Sequence, residues 1–200
     1  MIDHLIEFLR ARMPLERAHE ALVRSLVSAR RVKKGQTLQR AGEVATHGYF
    51  VTAGCLRSYW IDDKGREVSL TFAPEGWWVT EMTSLQDSTP STYFIEALED
   101  SDVVFMDMAA HSRFIEVIPG FAAAYAIGVQ KMAAAREKRL LDSLSATAEQ
   151  RYVNFLETYP SIARRVPQHM LASYLGITPE TLSRLRAQLA RKKRAKPDAV

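Results

Sequence analysis

The hydrophobic pattern of the chain changes twice between its beginning and its end. Between residues 2 and 28, apolar residues such as Leu5, Leu9 and Leu26 recur at helical spacing, which predicts two helices divided by Pro14. From Ala29 onward, short runs rich in Val, Thr, Tyr, Phe and Trp are separated by glycines, which predicts strands joined by turns. After residue 107 the helical period returns. The pattern therefore predicts an all-β unit between two helical regions, an α+β fold.

The β region contains six of the nine glycines, all between Gly35 and Gly76. Asp62 to Gly65 supply the chemistry of a hairpin turn, with glycine at the left-handed position. Short strands with frequent turns favour a jelly-roll or similar β-barrel from about residue 30 to 107. The predicted strands are Tyr49–Thr52, Cys55–Ile61, Glu67–Ala73, Trp77–Val79, Tyr93–Leu98 and Val103–Met106.

Two helices are predicted after the barrel. Asp107 can cap a helix that ends at Val117, and Pro119 opens a longer helix that reaches about Leu144. A stripe along this second helix has spacings of 4, 3, 4 and 3, which is the pattern of a helix-helix seam. We expect the stripe to form a dimer interface, and packing on the chain's own barrel is the alternative. The stripe consists of Phe121, Tyr125, Gly128, Met132 and Ala135.

The segment from Val166 to Arg194 has the signals of two successive helices. Pro167 suits the start of the first helix, Gly176 marks a turn, and Thr178 with Pro179 suits the start of the second. In the second helix Leu182, Leu185 and Leu189 fall on one side, whereas Glu180, Arg184 and Arg191 fall on the opposite side. This arrangement is typical of a helix-turn-helix whose second helix enters the DNA major groove.

Positive charge is concentrated at the carboxyl-terminal end. Residues 1–150 carry 17 Lys and Arg against 20 Asp and Glu, whereas residues 151–200 carry 10 against 3. A localised basic surface favours a polyanionic partner, because neutralising phosphates releases condensed counterions. The composition is that of a soluble domain, and the longest apolar run is too short for a membrane helix, so a cytoplasmic protein is expected.

Catalytic and metal-binding patterns are weak in this sequence. Cys55 is the only cysteine, which excludes an internal disulfide and a self-contained four-cysteine iron-sulfur cluster. His47 and Glu43 have no second barrel histidine at ligand spacing, and no Ser-His-Asp or Cys-His set is evident. We therefore predict no catalytic residues, no metal site and no enzyme.

Two segments together resemble regulators of the Crp/Fnr superfamily: GYFVTAGCLRSYWIDDKGREVSLTFAPEGWW in the barrel and VPQHMLASYLGITPETLSRLRAQL near the end. The resemblance implies a cyclic-nucleotide-binding-like barrel joined through a long dimerisation helix to a helix-turn-helix. It also implies that Glu180 and Arg184 read bases, while Thr178 and Thr181 contact phosphates. The full set of predicted DNA contacts is Gln168, Thr178, Glu180, Thr181, Ser183, Arg184, Arg191 and Lys192.

The sequence departs from that family at two places. Pro179 stands where many relatives have an arginine, and too few residues flank the helix-turn-helix to form a β wing. Basic residues near it, namely Arg164, Arg165, Lys192, Lys193 and Arg194, are then expected to contact phosphates. The resemblance places a ligand site at Thr80, Glu81, Ser91 and Thr92, but Ser91 replaces the arginine that pairs with a cyclic phosphate. A cyclic nucleotide is therefore not expected, although another small molecule is.

These observations predict three parts: an effector domain over residues 1–118, a dimerisation and connecting helix over 119–144, and a helix-turn-helix domain over 145–200. The predicted protein is a homodimeric transcription regulator that binds double-stranded DNA and responds to a small effector. The alternative is a constitutive DNA binder whose barrel is a scaffold or a docking surface for RNA polymerase or another protein.

Overall fold

The computed structural model describes the backbone of residues 1–195 and the side chains as far as Arg191. Two helices, α1 (Ile2–Arg10) and α2 (Arg17–Leu26), precede the strands and turn Leu5, Leu9 and Val23 inward. Eight strands follow within this described part: β1 (Ser28–Val32), β2 (Thr37–Gln39), β3 (Gly48–Ala53), β4 (Leu56–Ile61), β5 (Glu67–Ala73), β6 (Trp78–Val79), β7 (Phe94–Ala97) and β8 (Ser101–Met106). A short helix, α3 (Met82–Asp87), separates β6 from β7.

The strands form two four-stranded antiparallel sheets that face each other. Their orders are β1-β8-β3-β6 and β2-β7-β4-β5, which is jelly-roll connectivity. Inward-facing residues of both sheets, such as Val51, Leu56, Ile95 and Val103, are completely buried between them. The predicted α+β fold with a jelly-roll barrel is confirmed.

Six strands lie where the sequence predicts them, with ends displaced by at most two residues. The strands β1 and β2 and the helix α3 were not predicted. In β1 the polar residues Ser28, Arg30 and Arg31 are exposed and Val32 alone is buried, so the strand has no apolar alternation. It is recognisable only from its pairing with β8, where Arg30 lies opposite Val103.

Gly54 forms the tight connection between β3 and β4. Its φ of +91° belongs to the left-handed region, and a Cβ there would lie 2.8 Å from the Cα of Ser101. The Oγ of Ser101 in turn accepts a hydrogen bond from the Cys55 backbone N–H at 3.1 Å. This close approach fastens the β3–β4 turn to the start of β8.

Five helices follow the barrel in the described part of the chain: α4 (Met108–Val117), α5 (Phe121–Ser145), α6 (Ala148–Thr158), α7 (Gln168–Leu175) and α8 (Pro179–Ala195). Asp107 caps α4 by accepting from the Ala110 N–H, as the sequence predicts. Thr147 and Gln150 form a reciprocal capping box at the start of α6. Among the described helices, none combines the length and apolarity that a membrane span requires.

The carboxyl-terminal helices pack against the outer side of β5. Phe72 of that strand is completely buried against the rings of Phe155, Tyr159 and Tyr174, whose centroids lie 5.3 to 6.2 Å away. The hydroxyl of Ser173 on α7 donates to the Glu67 carbonyl and accepts from the Ser69 N–H. The helical region therefore shares an apolar cluster with the barrel instead of standing apart from it.

Candidate nucleic-acid interface

The helices α7 and α8 form a helix-turn-helix. Gly176 ends α7 with a φ of +65°, and the Ile177 N–H donates back to the Ala172 carbonyl at 3.0 Å. Thr178 then caps α8 by accepting from the Thr181 N–H at 3.2 Å. The local chemistry of Gly176 and Thr178 thus fixes where the first helix ends and the second begins.

The inner side of α8 anchors this helix to the domain. Leu182 is completely buried together with Leu171 and Leu175 of α7, and Leu189 packs partly against the same cluster. Arg186 lies beside Tyr152, and its Nε donates to the tyrosine hydroxyl at 3.2 Å. These contacts determine which side of α8 remains open to solvent.

The side opposite Leu182 presents the predicted DNA-contacting residues to solvent. Glu180, Arg184 and Arg191 are exposed on one side of α8, with Arg184 about one helical turn after Glu180 and Arg191 about two turns after Arg184. Ser183 and Thr178 are also exposed, and the Arg184 guanidinium lies 3.4 Å from the hydroxyl of Thr181, which is half-buried. The side chain of Lys192, like those of Lys193 and Arg194, lies outside the described residues.

Two polar side chains are oriented by hydrogen bonds near the start of α8. A backbone hydrogen bond at Glu180 and one from the Thr178 side chain hold the pKa of the Glu180 carboxyl below its ordinary value. This carboxylate is therefore ionised at neutral pH. Gln168 is exposed at the start of α7, and its Nε2 donates to the Pro179 carbonyl at 2.8 Å. This bond joins the amino-terminal ends of both helices.

Arg165 is not placed as predicted. Its guanidinium forms ion pairs with Glu75 and with Glu99, both on loops of the barrel. Hydrogen bonds that Arg165 donates to Glu99 and to Glu75 raise the pKa of its guanidinium. Arg165 therefore fastens the helical region to the barrel instead of facing DNA, whereas its neighbour Arg164 is exposed.

The four residues predicted to hold a ligand are Thr80, Glu81, Ser91 and Thr92. Glu81 is 8% exposed, and its Oε2 accepts from the Thr92 N–H at 3.3 Å. The Thr80 hydroxyl donates to the His47 carbonyl, and the buried Ser91 hydroxyl donates to the Tyr93 carbonyl at 2.8 Å. Glu81 is thus a buried carboxylate and not an exposed loop residue. Each polar group named here already has a partner in the protein.

The beginning of the stripe predicted as a dimer seam on α5 packs against the chain itself. Phe121 is buried in the cluster beneath α1 and α4, and Tyr125 packs on His111 with ring centroids 4.5 Å apart. Met132 and Ala135 line a cleft beside β5. Phe121 and Tyr125 are therefore covered by the chain itself, whereas Ala135 is exposed, so the seam at Gly128, Met132 and Ala135 stays a prediction. Gly128, on the same stripe, is exposed.

The apolar residues of α5 that remain open lie on its other side. Ile127, Leu140, Leu141 and Leu144 are between 53% and 77% exposed. A heptad pattern on this side begins at Ala126 and continues through Gln130, Ala133, Glu137, Leu140 and Leu144. We name the surface formed by Ile127, Leu140, Leu141 and Leu144 the outer face of α5.

Two side chains that could ligate a metal, Cys55 and His111, are buried. Cys55 is 1% exposed, and burial raises the pKa of its thiol to about 12, so it does not ionise at neutral pH. His111 is enclosed by aromatic rings. Among the described residues, no three His, Cys, Asp or Glu side chains are arranged to hold a metal ion.

Comparison with known proteins agrees with this architecture. Residues 29–117 match the family model of the cyclic nucleotide-binding domain. Comparison with the sequences of curated proteins gives no significant match.

Three solved structures illustrate the similarity of the whole fold. FixK2 from Bradyrhizobium japonicum is 21% identical with a TM-score of 0.72, over 84% of this chain and 86% of that one. CLP, a c-di-GMP-responsive global regulator from Xanthomonas campestris, is 16% identical with a TM-score of 0.69, over 86% and 91%. A protein of Eubacterium rectale described as a regulator of the Crp/Fnr family is 19% identical with a TM-score of 0.65, over 89% and 85%.

The match and the solved structures agree on the fold. Residues 29–117 match the model of the cyclic nucleotide-binding domain family, and the described residues share their fold with FixK2, CLP and the Eubacterium rectale protein. The match is to a regulatory domain, in agreement with the sequence analysis, which predicts no enzyme.

Proposed function

We propose that this protein is a sequence-specific DNA-binding transcription regulator whose barrel responds to a small-molecule effector. The observation that carries the proposal is the exposed Glu180 and Arg184 side of α8, held outward by the burial of Leu182 on the opposite side. A major groove about 12 Å wide admits one such helix.

The residues on this side suit base recognition. The Arg184 guanidinium can donate two parallel hydrogen bonds to guanine O6 and N7, and the ionised Glu180 can accept from a cytosine amino group. Thr178 and Thr181 lie at the start of α8, where a hydroxyl and the helix dipole both favour a phosphate. Arg191, further along the same side, extends the positive surface for the DNA backbone.

We propose that two chains associate through the outer face of α5. Four exposed aliphatic side chains within 18 residues form an apolar surface on a helix that already packs on its barrel with the other side. Parallel packing of two such helices would bring two copies of α8 to the same side of the molecule. Two-fold symmetric copies then fit a DNA site with two-fold symmetry.

The barrel can influence α8 because α5 contacts both parts of the chain. Phe121 and Tyr125 hold the start of α5 against the cluster beneath α1 and α4, and Asp142 near its end accepts from Asn154 of α6 at 2.8 Å. An effector that changes the position of α5 would therefore change the separation of the two α8 helices. Ser91 replaces the expected phosphate-binding arginine, so the effector we propose is not a cyclic nucleotide.

Selection of DNA duplexes from a random pool tests the proposal. We expect enrichment of a near-palindrome whose two half-sites have centres about 10 base pairs, or one helical turn, apart. The matched control is the Glu180→Ala, Arg184→Ala double variant, which leaves the buried side of α8 unchanged and should enrich no common sequence. Recovery of unrelated duplexes by the wild-type protein would refute sequence-specific binding.

A further inference from the structure

A cleft opens between the barrel, α5 and the helix-turn-helix region. Its volume is about 320 Å³. One wall is formed by β5 and the Trp77–Trp78 pair, the second by α5, and the third by α6 and α7. Leu70, Met132 and Phe155 together with Tyr159 give it a largely apolar and aromatic surface. Its shape and lining suit a flat apolar molecule.

The charges that line the cleft are unbalanced. Four basic side chains reach it, whereas Asp142 is the single carboxylate among the lining residues. The Asp142 carboxylate already accepts a hydrogen bond from Asn154 at 2.8 Å. The basic residues are Arg136, Lys138, Arg139 and Arg151. Because these four cations repel one another, a bound anion in the cleft would stabilise the group.

Arg139 is the most enclosed of these cations. It donates to the backbone carbonyls of Leu70, Ser69 and Tyr174, and its guanidinium lies 3.8 Å from the centre of the Tyr174 ring. No carboxylate within the described residues pairs with it. Burial lowers the pKa of Arg139, because a cation loses hydration there without gaining a counter-charge.

Arg136 stands one helical turn before Arg139 on α5. Its side chain is exposed at the cleft, and the hydrogen bonds and ion pairs found among the described side chains do not include it. Arg136 therefore has donors available for a molecule that enters the cleft.

We propose that this cleft binds an organic anion with a flat apolar body, which lies against the aromatic wall while Arg136 and Arg139 pair with its acidic group. Thr80, Glu81, Ser91 and Thr92 do not line the cleft, so the site differs from the one that the sequence predicts inside the barrel. The proposal concerns ligand binding alone and does not depend on DNA recognition.

A fluorescent probe of this chemistry tests the site. Anilinonaphthalene sulfonate has a flat apolar body with one sulfonate, and N-phenylnaphthylamine is the same molecule without the sulfonate. We expect the sulfonate to bind the full-length protein saturably, one per chain, and at least about tenfold more tightly than the neutral analogue, since the analogue cannot make charge-assisted bonds.

Two variants of α5 complete the experiment. Arg136→Gln should weaken sulfonate binding about tenfold and leave binding of the neutral analogue unchanged. Lys131→Gln removes an exposed cation from the same helix outside the cleft and should change neither. Thermal unfolding of both variants verifies that they remain folded. Equal binding of the two probes to the wild-type protein, or equal effects of the two variants, would overturn the proposal.

Discussion

At the scale of single residues, His111 is an imidazole in apolar surroundings. It is 7% exposed and lies between the rings of Phe121 and Tyr125. Within the described residues its Nε2 has no hydrogen-bond partner. Burial lowers the pKa of the imidazole below its usual 6.5. The unfolded chain therefore takes up a proton here at a higher pH than the folded chain does.

This difference predicts how stability depends on pH. Because the unfolded state binds more protons, the free energy of unfolding should fall as the pH drops from about 7.5 to about 5.5. His111→Leu removes the titrating group from the core and should flatten this part of the profile. The measurement is denaturant unfolding at a series of pH values.

His4→Gln is the matched control for this prediction, since His4 is exposed on α1. It should leave the pH profile of the wild-type protein unchanged. If the His111→Leu variant loses stability with pH in parallel with the wild-type protein, then His111 is not the group responsible.

The buried position of Arg57 and its partners cannot be recognised from the sequence alone. It is 1% exposed in the middle of β4, and its guanidinium donates to Glu67, Glu96 and Ser69 on the two neighbouring strands. Nothing in the run LRSYWI distinguishes this arginine from an exposed one. Its partners lie 10, 12 and 39 positions away, so the pairing depends on strand order, which local pattern does not encode.

At the scale of elements, local chemistry predicted the helix starts and most strands correctly. Asp107 and Thr178 cap helices as expected, since a side-chain oxygen near the first turn is a local signal. The edge strands β1 and β2 escaped prediction because they are short and mostly exposed or half-buried. A capping signal lies within four consecutive residues of the sequence, whereas an edge strand is recognised only from its pairing with a neighbouring strand.

For the helix α5, periodicity alone does not identify which surface packs against each of its sides. It carries one apolar stripe that includes Phe121, Tyr125 and Met132 and a second on its outer face, and both have seam-like spacing. The first stripe is predicted to face a partner chain, and the structure shows that its start, Phe121 and Tyr125, packs on the chain itself. Periodicity shows that a side is apolar but does not identify what covers it.

The proposed dimer interface on the outer face of α5 can be tested by mutation. Leu141→Glu places a charge in the centre of the proposed interface, where desolvation without a partner is unfavourable. We expect the variant to sediment as a monomer at concentrations where the wild-type protein is a dimer. Met132→Gln, on the side that faces the barrel, is the control and should remain dimeric. A dimeric Leu141→Glu variant would contradict the proposed interface.

At the scale of the whole molecule, the helical region is fastened to the barrel by long-range polar contacts. Arg165 pairs with Glu75 and Glu99, and Ser173 bonds to the backbone of β5. These residues lie between 66 and 106 positions from their partners. The three-part division with limits at residues 118 and 144 follows from composition and periodicity and stays a prediction. The packing of the parts was not predictable, because it depends on such distant pairs.

Removal of the Arg165 ion pairs should weaken the attachment of the helical region to the barrel. Burial acts to raise the pKa of Glu75, but the Arg165 hydrogen bond and charge, together with hydrogen bonds from the Glu75 and Gly54 backbone, outweigh it, so the pKa lies below its ordinary value. We expect Arg165→Ala to cost about 1 to 2 kcal/mol of stability, which is typical of a partly exposed ion-pair network. Backbone amide exchange in α6 and α7 should also become faster.

Arg164→Ala is the control for this attachment, because Arg164 is the exposed neighbour of Arg165. It should leave both stability and amide exchange close to those of the wild-type protein. Identical behaviour of the two variants would show that the ion pairs do not hold the helical region to the barrel.

The most direct test of DNA reading by α8 compares Arg184→Ala with Arg191→Ala on the selected duplex and on a scrambled one. Arg184→Ala should lose about 1 to 3 kcal/mol of binding free energy on the selected duplex and little on the scrambled one, because Arg184 is proposed to contact a base. Arg191→Ala should weaken binding to both duplexes alike, because it is proposed to contact phosphate. Equal losses on the two duplexes for Arg184→Ala would contradict base reading by this helix.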